Sequence, residues 1–112
     1  MACADLVTEP WESLGVPLLI DRPDIKCWME IVEPGETRPV HTHRHPWVTI
    51  VLEGAAGDLL APDGSLIQAG RPCSGDVGYH GVQELPASHC VRNTADRRFV
   101  AVAVELRNPA AA

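Results

Sequence analysis

The 112-residue chain has 15 acidic and nine basic residues, and its formal net charge of −6 argues against binding to nucleic acid or anionic lipid. A chain of this length has room for one domain, and a hydrophobic content of 46% excludes a disordered protein. The first residues, MACADLVTEPW, lack the basic and apolar regions of a signal peptide, and no apolar run is long enough to cross a membrane. We therefore expect a cytoplasmic protein with no nucleic-acid and no membrane partner.

Short apolar runs, separated by turn residues, predict β-strands along most of the chain. After an irregular lead-in, the runs cover 17–20, 25–32, 47–52, 58–61, 66–69, 88–91 and 99–106. Among the breaks between them, Pro62-Asp63-Gly64 is the clearest hairpin turn. No segment has a long period of 3.6 residues, and nine glycines and ten prolines would interrupt helices. The pattern predicts an all-β sandwich or barrel.

We expect a single domain. Residues 1–24 are predicted to form an N-terminal lead-in and the first strand, and residues 25–106 the barrel. Residues 107–112, which end in three alanines, are predicted to form a disordered tail.

The four cysteines, at positions 3, 27, 73 and 90, include no Cys-x-x-Cys pair. Without a secretory signal, reduced thiols are expected. Cys27 and Cys90 fall within predicted strands and are interpreted as small core residues.

All five histidines lie between positions 41 and 89, and three of them occur in the segment His41-Thr42-His43-Arg44-His45. Residues two apart on a strand face the same side, so His41 and His43 would project together and could bind one metal ion. Pro46 ends this run and is expected to leave His45 in a turn. The alternative is a polar loop with solvated imidazoles, and these residues alone do not decide between the two.

The spacing around these histidines resembles the first motif of the cupin superfamily. That motif has Gly, five residues, His-x-His, three or four residues, Glu, six residues and Gly. Here Gly35, His41, His43 and Gly54 fit the spacing, and Trp47 stands where the family has a ligating Glu.

The second cupin motif ends in His, three residues and Asn, which His89 and Asn93 match. Its usual upstream pattern, Pro-x-Gly-x-x-His, is not kept, because residues 85–88 read Leu-Pro-Ala-Ser. The resemblance covers about residues 25 to 106.

This resemblance implies an all-β, double-stranded β-helix: a single jelly-roll barrel of six to ten strands. It also implies one divalent metal ion on His41, His43 and His89, with Asn93 supporting the end of the strand that carries the third ligand. The imidazole ligands do not identify the metal, which could be iron, zinc, nickel, manganese or copper. Small cupins often pair through an edge strand, so a homodimer is expected.

Other residues are candidates for the same site. Indole nitrogen is only a hydrogen-bond donor, so Trp47 cannot replace the missing carboxylate. It is expected to line the pocket and restrict ligand size. The further candidates for an additional ligand or pocket residue are Gln83, Glu84, His45 and His80, and the pocket-lining candidates besides Trp47 are Thr49 and Tyr79.

Two functions follow from the resemblance. The first is a metal-dependent enzyme that acts on a small organic molecule by dioxygenase, isomerase, lyase or cyclase chemistry. The second is a non-catalytic cupin that binds a small ligand and has a structural or lost metal site. The residue at position 47 leaves both open, because three histidines suffice for some cupin dioxygenases.

Overall fold

A computed structural model describes residues 17–107, and the regular structure in this range consists of β-strands and a single short 3-10 helix at Val82–Glu84. The strands are β1 Leu18–Asp21, β2 Ile25–Val32, β3 His41–His43, β4 Trp47–Glu53, β5 Gly57–Leu60, β6 Leu66–Gly70, β7 Val77–His80, β8 Ala87–Asn93 and β9 Phe99–Leu106. No helix within the described range is long and apolar enough to cross a lipid bilayer.

The strands form two antiparallel sheets whose order in space differs from their order in the chain. One sheet has five strands in the order β1-β2-β9-β4-β7, and the other has four in the order β3-β8-β5-β6. The chain crosses between the sheets, because β2 and β4 belong to the five-stranded sheet and β3, which lies between them in the chain, belongs to the four-stranded one. This arrangement is a double-stranded β-helix, and it confirms the predicted all-β jelly-roll barrel.

The seven predicted runs all lie on observed strands, with boundaries shifted by at most a few residues. The hairpin turn is also confirmed: β5 and β6 pair, Ala61 N donates to the Ser65 carbonyl, and Gly64 has φ = 90°. Strand β7 was not predicted, because its apolar residues Val77 and Tyr79 are both exposed and give no signal of burial. The predicted lead-in up to residue 16 and the tail from 108 lie outside the described residues.

The inward faces of β2, β4 and β9 supply much of the barrel core. Trp28 and Val32 on β2 are 1% and 0% exposed, and Val51 and Ala101 lie buried on β4 and β9. Trp28 and Val32 are four residues apart on β2, so the period of two of a strand places them on the same face. The interior between the sheets is therefore apolar on this side, apart from the groups described below.

Cys90 corrects the expectation of reduced thiols. As predicted it is a core residue, packed with Val40 and Leu60. However, it is disulfide-bonded, whereas Cys27 and Cys73 are free.

Candidate metal centre

His41, His43 and His89 come together because β3 and β8 are neighbours in the four-stranded sheet. His41 is directly opposite His89 in the antiparallel register, and His43 lies two residues further along β3 on the same face. The intervening Thr42 faces the other side, where its hydroxyl lies 2.9 Å from that of Ser88. Strand alternation thus places all three imidazoles on the face of the sheet that points into the barrel.

The three imidazoles converge on one point. One ring nitrogen from each histidine can be chosen so that all three lie within 4.8 Å of one another. Nε2 of His43 and Nε2 of His89 are 3.1 Å apart. Two nitrogens bound to the same ion at about 2.1 Å would be about 3.0 to 3.4 Å apart for right-angled to tetrahedral geometry. The observed separation fits two ligands of one metal ion.

Burial keeps these three histidines neutral. It lowers the pKa of His41 to about 3, of His43 to about 2 and of His89 to about 4, and the proximity of the other histidines adds to each shift. Neutral imidazole is the form that binds a metal, so no proton has to be displaced near neutral pH.

The outer nitrogens of the rings differ in their partners. The ring of His41 donates a hydrogen bond to the backbone of Pro39, which must be to its carbonyl because proline has no N–H. Such a bond fixes the tautomer and orientation of a metal-binding histidine. Nδ1 of His43, in contrast, is buried without a hydrogen-bond partner among the described residues. The orientation of His43 must therefore come from packing.

Trp47 provides that packing. Its indole stacks on the ring of His43 with centroids 3.7 Å apart and an interplanar angle of 11°. The ring of His80 stacks on the indole at 4.3 Å and 15°, and Nδ1 of His80 lies 2.9 Å from Oε1 of Glu84. A continuous stack of three rings therefore extends from the candidate metal ligand to the surface.

A cavity of about 180 Å³ lies beside the three histidines, inside the barrel. The walls that residues 17–107 form are mainly apolar and contain no lysine or arginine. The residues that line it are Glu30, His41, His43, Trp47, Thr49, Leu59, His80, His89, Val91, Phe99, Ala101 and Ala103. A small molecule in this cavity would therefore touch both the three-histidine group and an apolar wall.

The other predicted site residues are distributed as follows. Trp47 and Thr49 line the cavity, and so does His80, although His80 lies outside the three-histidine group. Tyr79 corrects the expectation of a lining role, because it alternates with His80 on β7 and its side chain is 64% exposed on the outer side.

Three further candidates do not reach the cavity. Gln83 and Glu84 are exposed residues of the 3-10 helix, and the carboxylate of Glu84 is occupied by His80. His45 lies in the turn between β3 and β4, outside the three-histidine group. The additional ligand or pocket role considered for these residues has no geometric support, because the turn and the 3-10 helix direct them elsewhere.

Asn93 ties the end of β8 to its surroundings. The side chain is 2% exposed, and its Nδ2 donates to the carbonyls of Val32 and Arg97 at 2.9 and 2.8 Å. Its Oδ1 accepts from the backbone N–H of Ala95 at 2.8 Å. These bonds anchor the strand that carries His89 to β2 and to the following turn.

Glu30 is the cavity residue that sequence reasoning missed. It lies on the inward face of β2, between the fully buried Trp28 and Val32, and lines the same cavity as the three histidines. Burial raises its pKa to about 7; the nearby Arg38 lowers the value and Glu36 raises it. The signal was present in the sequence, because an acidic residue that alternates with large apolar residues on a strand points into the core.

The donor set suits a divalent ion. Three neutral imidazoles with ring nitrogens within 4.8 Å of one another are the kind of ligands that zinc and the other late first-row metals prefer. The buried nitrogen of His43, which has no partner among the described residues, is better explained in a polar site than in a simple core. His41, His43 and His89 are thus a group compatible with a metal site.

Solved structures agree with this architecture, whereas no family model matches the chain. Auxin-binding protein 4 from Zea mays is 30% identical over 88 residues, which cover 77% of this chain and 43% of that protein. The chain thus spans less than half the length of this curated relative.

Among solved structures, a cupin domain from Bordetella pertussis has a TM-score of 0.71 at 22% identity, with 88% of this chain and 99% of that chain covered. A sugar phosphate isomerase from a cupin superfamily, from Silicibacter pomeroyi, has a TM-score of 0.54 at 20% identity over 77% of this chain and 52% of that one. At this identity the structures report on the fold. The chain therefore has the double-stranded β-helix fold of cupin domains, with the motif histidines brought together inside it.

Proposed function

We propose that this protein is a metal-dependent enzyme that acts on a small organic molecule in the barrel cavity. The observation that carries the proposal is that three neutral histidines converge at the wall of an internal cavity rather than at a filled core or at the surface. His41, His43 and His89 would hold the ion, and the cavity would hold the substrate next to it. A divalent ion at this place would act as a Lewis acid on an oxygen of the substrate.

The cavity suggests what kind of molecule it accepts. Its volume of about 180 Å³ suits a small compound, and Val91, Phe99 and Ala103 offer it an apolar surface. A phosphorylated substrate would require cationic side chains, and none of the lining residues is a lysine or arginine. A small, uncharged or weakly charged oxygen compound is therefore favoured over a sugar phosphate. Dioxygenase, isomerase, lyase and cyclase chemistry are the reaction classes in question.

The test is the metal content of the protein, purified without chelator or affinity tag, measured by elemental analysis. We expect one first-row metal ion per chain in the wild type and its loss in His89→Ala and in His43→Gln. The control is His45→Ala, which removes a histidine outside the group and should keep the metal. Folding of each variant is checked by circular dichroism. Folded wild-type protein that binds no iron, zinc, nickel, manganese or copper would refute the proposal.

A second candidate is a non-catalytic module that binds a small ligand. It is favoured by the tryptophan in place of the family's glutamate, and the name of the Zea mays relative describes a binding function for that protein. The position of Trp47 bears on the choice between the two candidates: it stacks on the ring of His43, and both residues line the wall of a cavity next to the histidines. An open cavity beside the ligand group supports the enzyme.

We also propose that the protein forms a homodimer through an edge strand. Strands β1 and β6 are at the edges of their sheets and expose large apolar residues, among them Ile20, Leu66 and Ile67 at 43%, 58% and 53%. Exposed apolar edges are commonly covered by association. Light scattering coupled to gel filtration should give twice the chain mass of 12.1 kDa.

A cytoplasmic location stays a prediction, and the disulfide of Cys90 weighs against it. Disulfides persist mainly in oxidising compartments, whereas the cytoplasm keeps thiols reduced. Cells are quenched with acid, and the protein is denatured before its thiols are labelled without prior reduction, because Cys90 is fully buried. A labelled Cys90 supports the cytoplasm, and an unlabelled one contradicts it.

A further inference from the structure

Glu30 faces the three histidines across the interior of the barrel. It is on β2 in the five-stranded sheet, whereas the histidines are on β3 and β8 in the four-stranded sheet, and all of them line the same cavity. Its ligand oxygens do not belong to the group that could bind a single ion with the histidines. Glu30 is therefore placed to touch a molecule in the cavity rather than to bind the metal.

The carboxyl group of Glu30 has no hydrogen-bond or salt-bridge partner among the described residues. The other acidic groups near the barrel interior differ in this respect: Glu105, for example, is 4% exposed but accepts from Arg107 Nε at 2.6 Å. A polar group in an apolar wall is costly unless something pairs with it. Its position on the cavity wall leaves that pairing to whatever the cavity binds.

The charges around Glu30 come from three directions. Arg38 and Glu36, in the segment before β3, act on it with opposite signs, and they also bond to each other at 3.2 Å. The histidines of β3 and β8 are on the opposite sheet, and His80 of β7 is on the same sheet as Glu30. Strand β9 presents only apolar residues to the cavity, namely Phe99, Ala101 and Ala103. With its pKa raised to about 7, Glu30 can exist in both protonation states near neutral pH, as a general acid–base residue requires.

We propose that Glu30 is a catalytic residue that exchanges a proton with a small carbonyl compound held at the three-histidine group. This inference rests on the proposed function and narrows it to an isomerase-type proton transfer. It places the acidic group of the site on β2, opposite the ligands, instead of at position 47, where the family has a glutamate.

The step balances without an oxidant. The Glu30 carboxylate takes a proton from a carbon next to the carbonyl group, and the electron pair of the broken C–H bond moves toward the carbonyl oxygen at the histidine group. Glu30 is then a neutral carboxylic acid. When it returns its proton to a carbon of the same molecule, the C–H bond forms again, the carbonyl is restored, and Glu30 is a carboxylate as before. Return to a different carbon completes an isomerisation.

The first test measures the protonation of Glu30 directly and needs no activity. Infrared spectra of the metal-free protein are recorded across neutral pH to detect the carbonyl band of a protonated carboxylic acid. We expect a band that disappears with a midpoint near pH 7, that is absent in Glu30→Gln and that is retained in Glu53→Gln. Glu53 is a matched control because it is exposed and paired with Arg98 at 2.9 Å. A wild type without this band, or a Glu30→Gln variant that keeps it, overturns the proposal.

The second test uses the metal-loaded protein with hydroxyacetone, a small uncharged carbonyl compound, in deuterium oxide. We expect deuterium to enter the carbon-bound positions of hydroxyacetone, and Glu30→Gln to slow this exchange by about 10²- to 10⁴-fold at unchanged metal content, while Glu53→Gln does not. Equal rates in wild type and Glu30→Gln, or no exchange by the loaded wild type, overturn the proposal. If the protein bound no metal, the proposed function would be refuted. The infrared spectra of the metal-free protein would still test the protonation of Glu30.

Discussion

His43 lies flat against Trp47, at 3.7 Å between ring centroids, and this contact takes the place of a hydrogen bond at Nδ1 of His43, which has no partner within residues 17–107. Metal-binding histidines usually have a hydrogen-bonded outer nitrogen that fixes the ring. Here the residue at the motif position of the ligating glutamate supports a neighbouring candidate ligand. The stack with His80 on the far side fixes the indole in turn.

Trp47→Ala should therefore lower both stability and metal affinity. Removing an indole that is only 4% exposed leaves a cavity, and we expect a loss of about 3 to 5 kcal/mol in the free energy of unfolding. Trp47→Phe retains a stacked ring and should lose less than half of that. Urea unfolding of the metal-free proteins measures the first effect, and competition with a chromophoric chelator measures the second. A metal affinity for Trp47→Ala equal to that of the wild type would show that His43 is oriented by other contacts.

The three buried histidines should make the metal-free protein sensitive to acid. Their pKa values are lowered in the folded state to about 2 to 4, from an ordinary value of 6.5, so the unfolded chain binds more protons than the folded one between these limits. Stability is then complete above pH 6.5 and is lost as the pH falls below it. The slope is at most about 1.4 kcal/mol per pH unit for each histidine, or about 4 kcal/mol for all three.

Urea unfolding of metal-free protein between pH 7 and pH 5 measures this slope. His89→Gln should remove about a third of it, and His45→Ala, outside the group, should leave it unchanged. A stability that is flat over this range in the wild type would mean that the rings are accessible to protons, in contradiction to their burial.

Glu30 should have the opposite influence on stability. Its pKa is raised from 4.5 to about 7, so the folded state holds its proton more firmly, and the carboxyl group destabilises the fold increasingly as the pH rises from 4.5 to 7. We expect Glu30→Gln to stabilise the metal-free protein at pH 8 by about 2 to 3 kcal/mol and to have little effect at pH 4.5. Thermal unfolding at the two pH values measures the difference, and Glu53→Gln is the control. A destabilised Glu30→Gln at pH 8 would show that the carboxylate is paired in the fold.

The histidine motif and the strand pattern together predicted the barrel and its candidate ligands, because both depend on local properties. His41 and His43 share a face since strands alternate, and the alternating residues of β9 are recognisable without a partner strand. What could not be derived locally is which strands become neighbours. His41 pairs directly with His89, 48 residues further along the chain. The prediction that His89 joins the other two histidines came from the family motif, not from the alternation of residues along a strand.

The errors have physical reasons of the same kind. Tyr79 was expected in the pocket, but β7 is an edge strand, and the alternation that places His80 inward places Tyr79 outward. Gln83 and Glu84 were considered as replacements for the missing acid because they precede His89 in the chain. The acid that lines the cavity of the histidines, Glu30, is on a strand of the other sheet, and the closure of the barrel brings it to that cavity.

Gly54, the second glycine of the first motif, gives the last prediction. A Cβ atom at this position would overlap the carbonyl oxygen of Pro72 and come within 2.8 Å of Cα of Cys73, both of which are backbone atoms that cannot turn away. Gly54→Ala should therefore force the chain after β4 away from the segment at Pro72, with a loss of about 1 to 3 kcal/mol in the free energy of unfolding.

Gly70→Ala is a matched control, because its Cβ would meet nothing closer than Pro72 Cδ at 4.0 Å. Urea unfolding of both variants measures the difference, and equal stabilities would mean that the two segments separate without cost. Such a result would leave the motif glycine without a steric reason, because Gly54 does not have the positive φ that Gly35, Gly64 and Gly75 adopt.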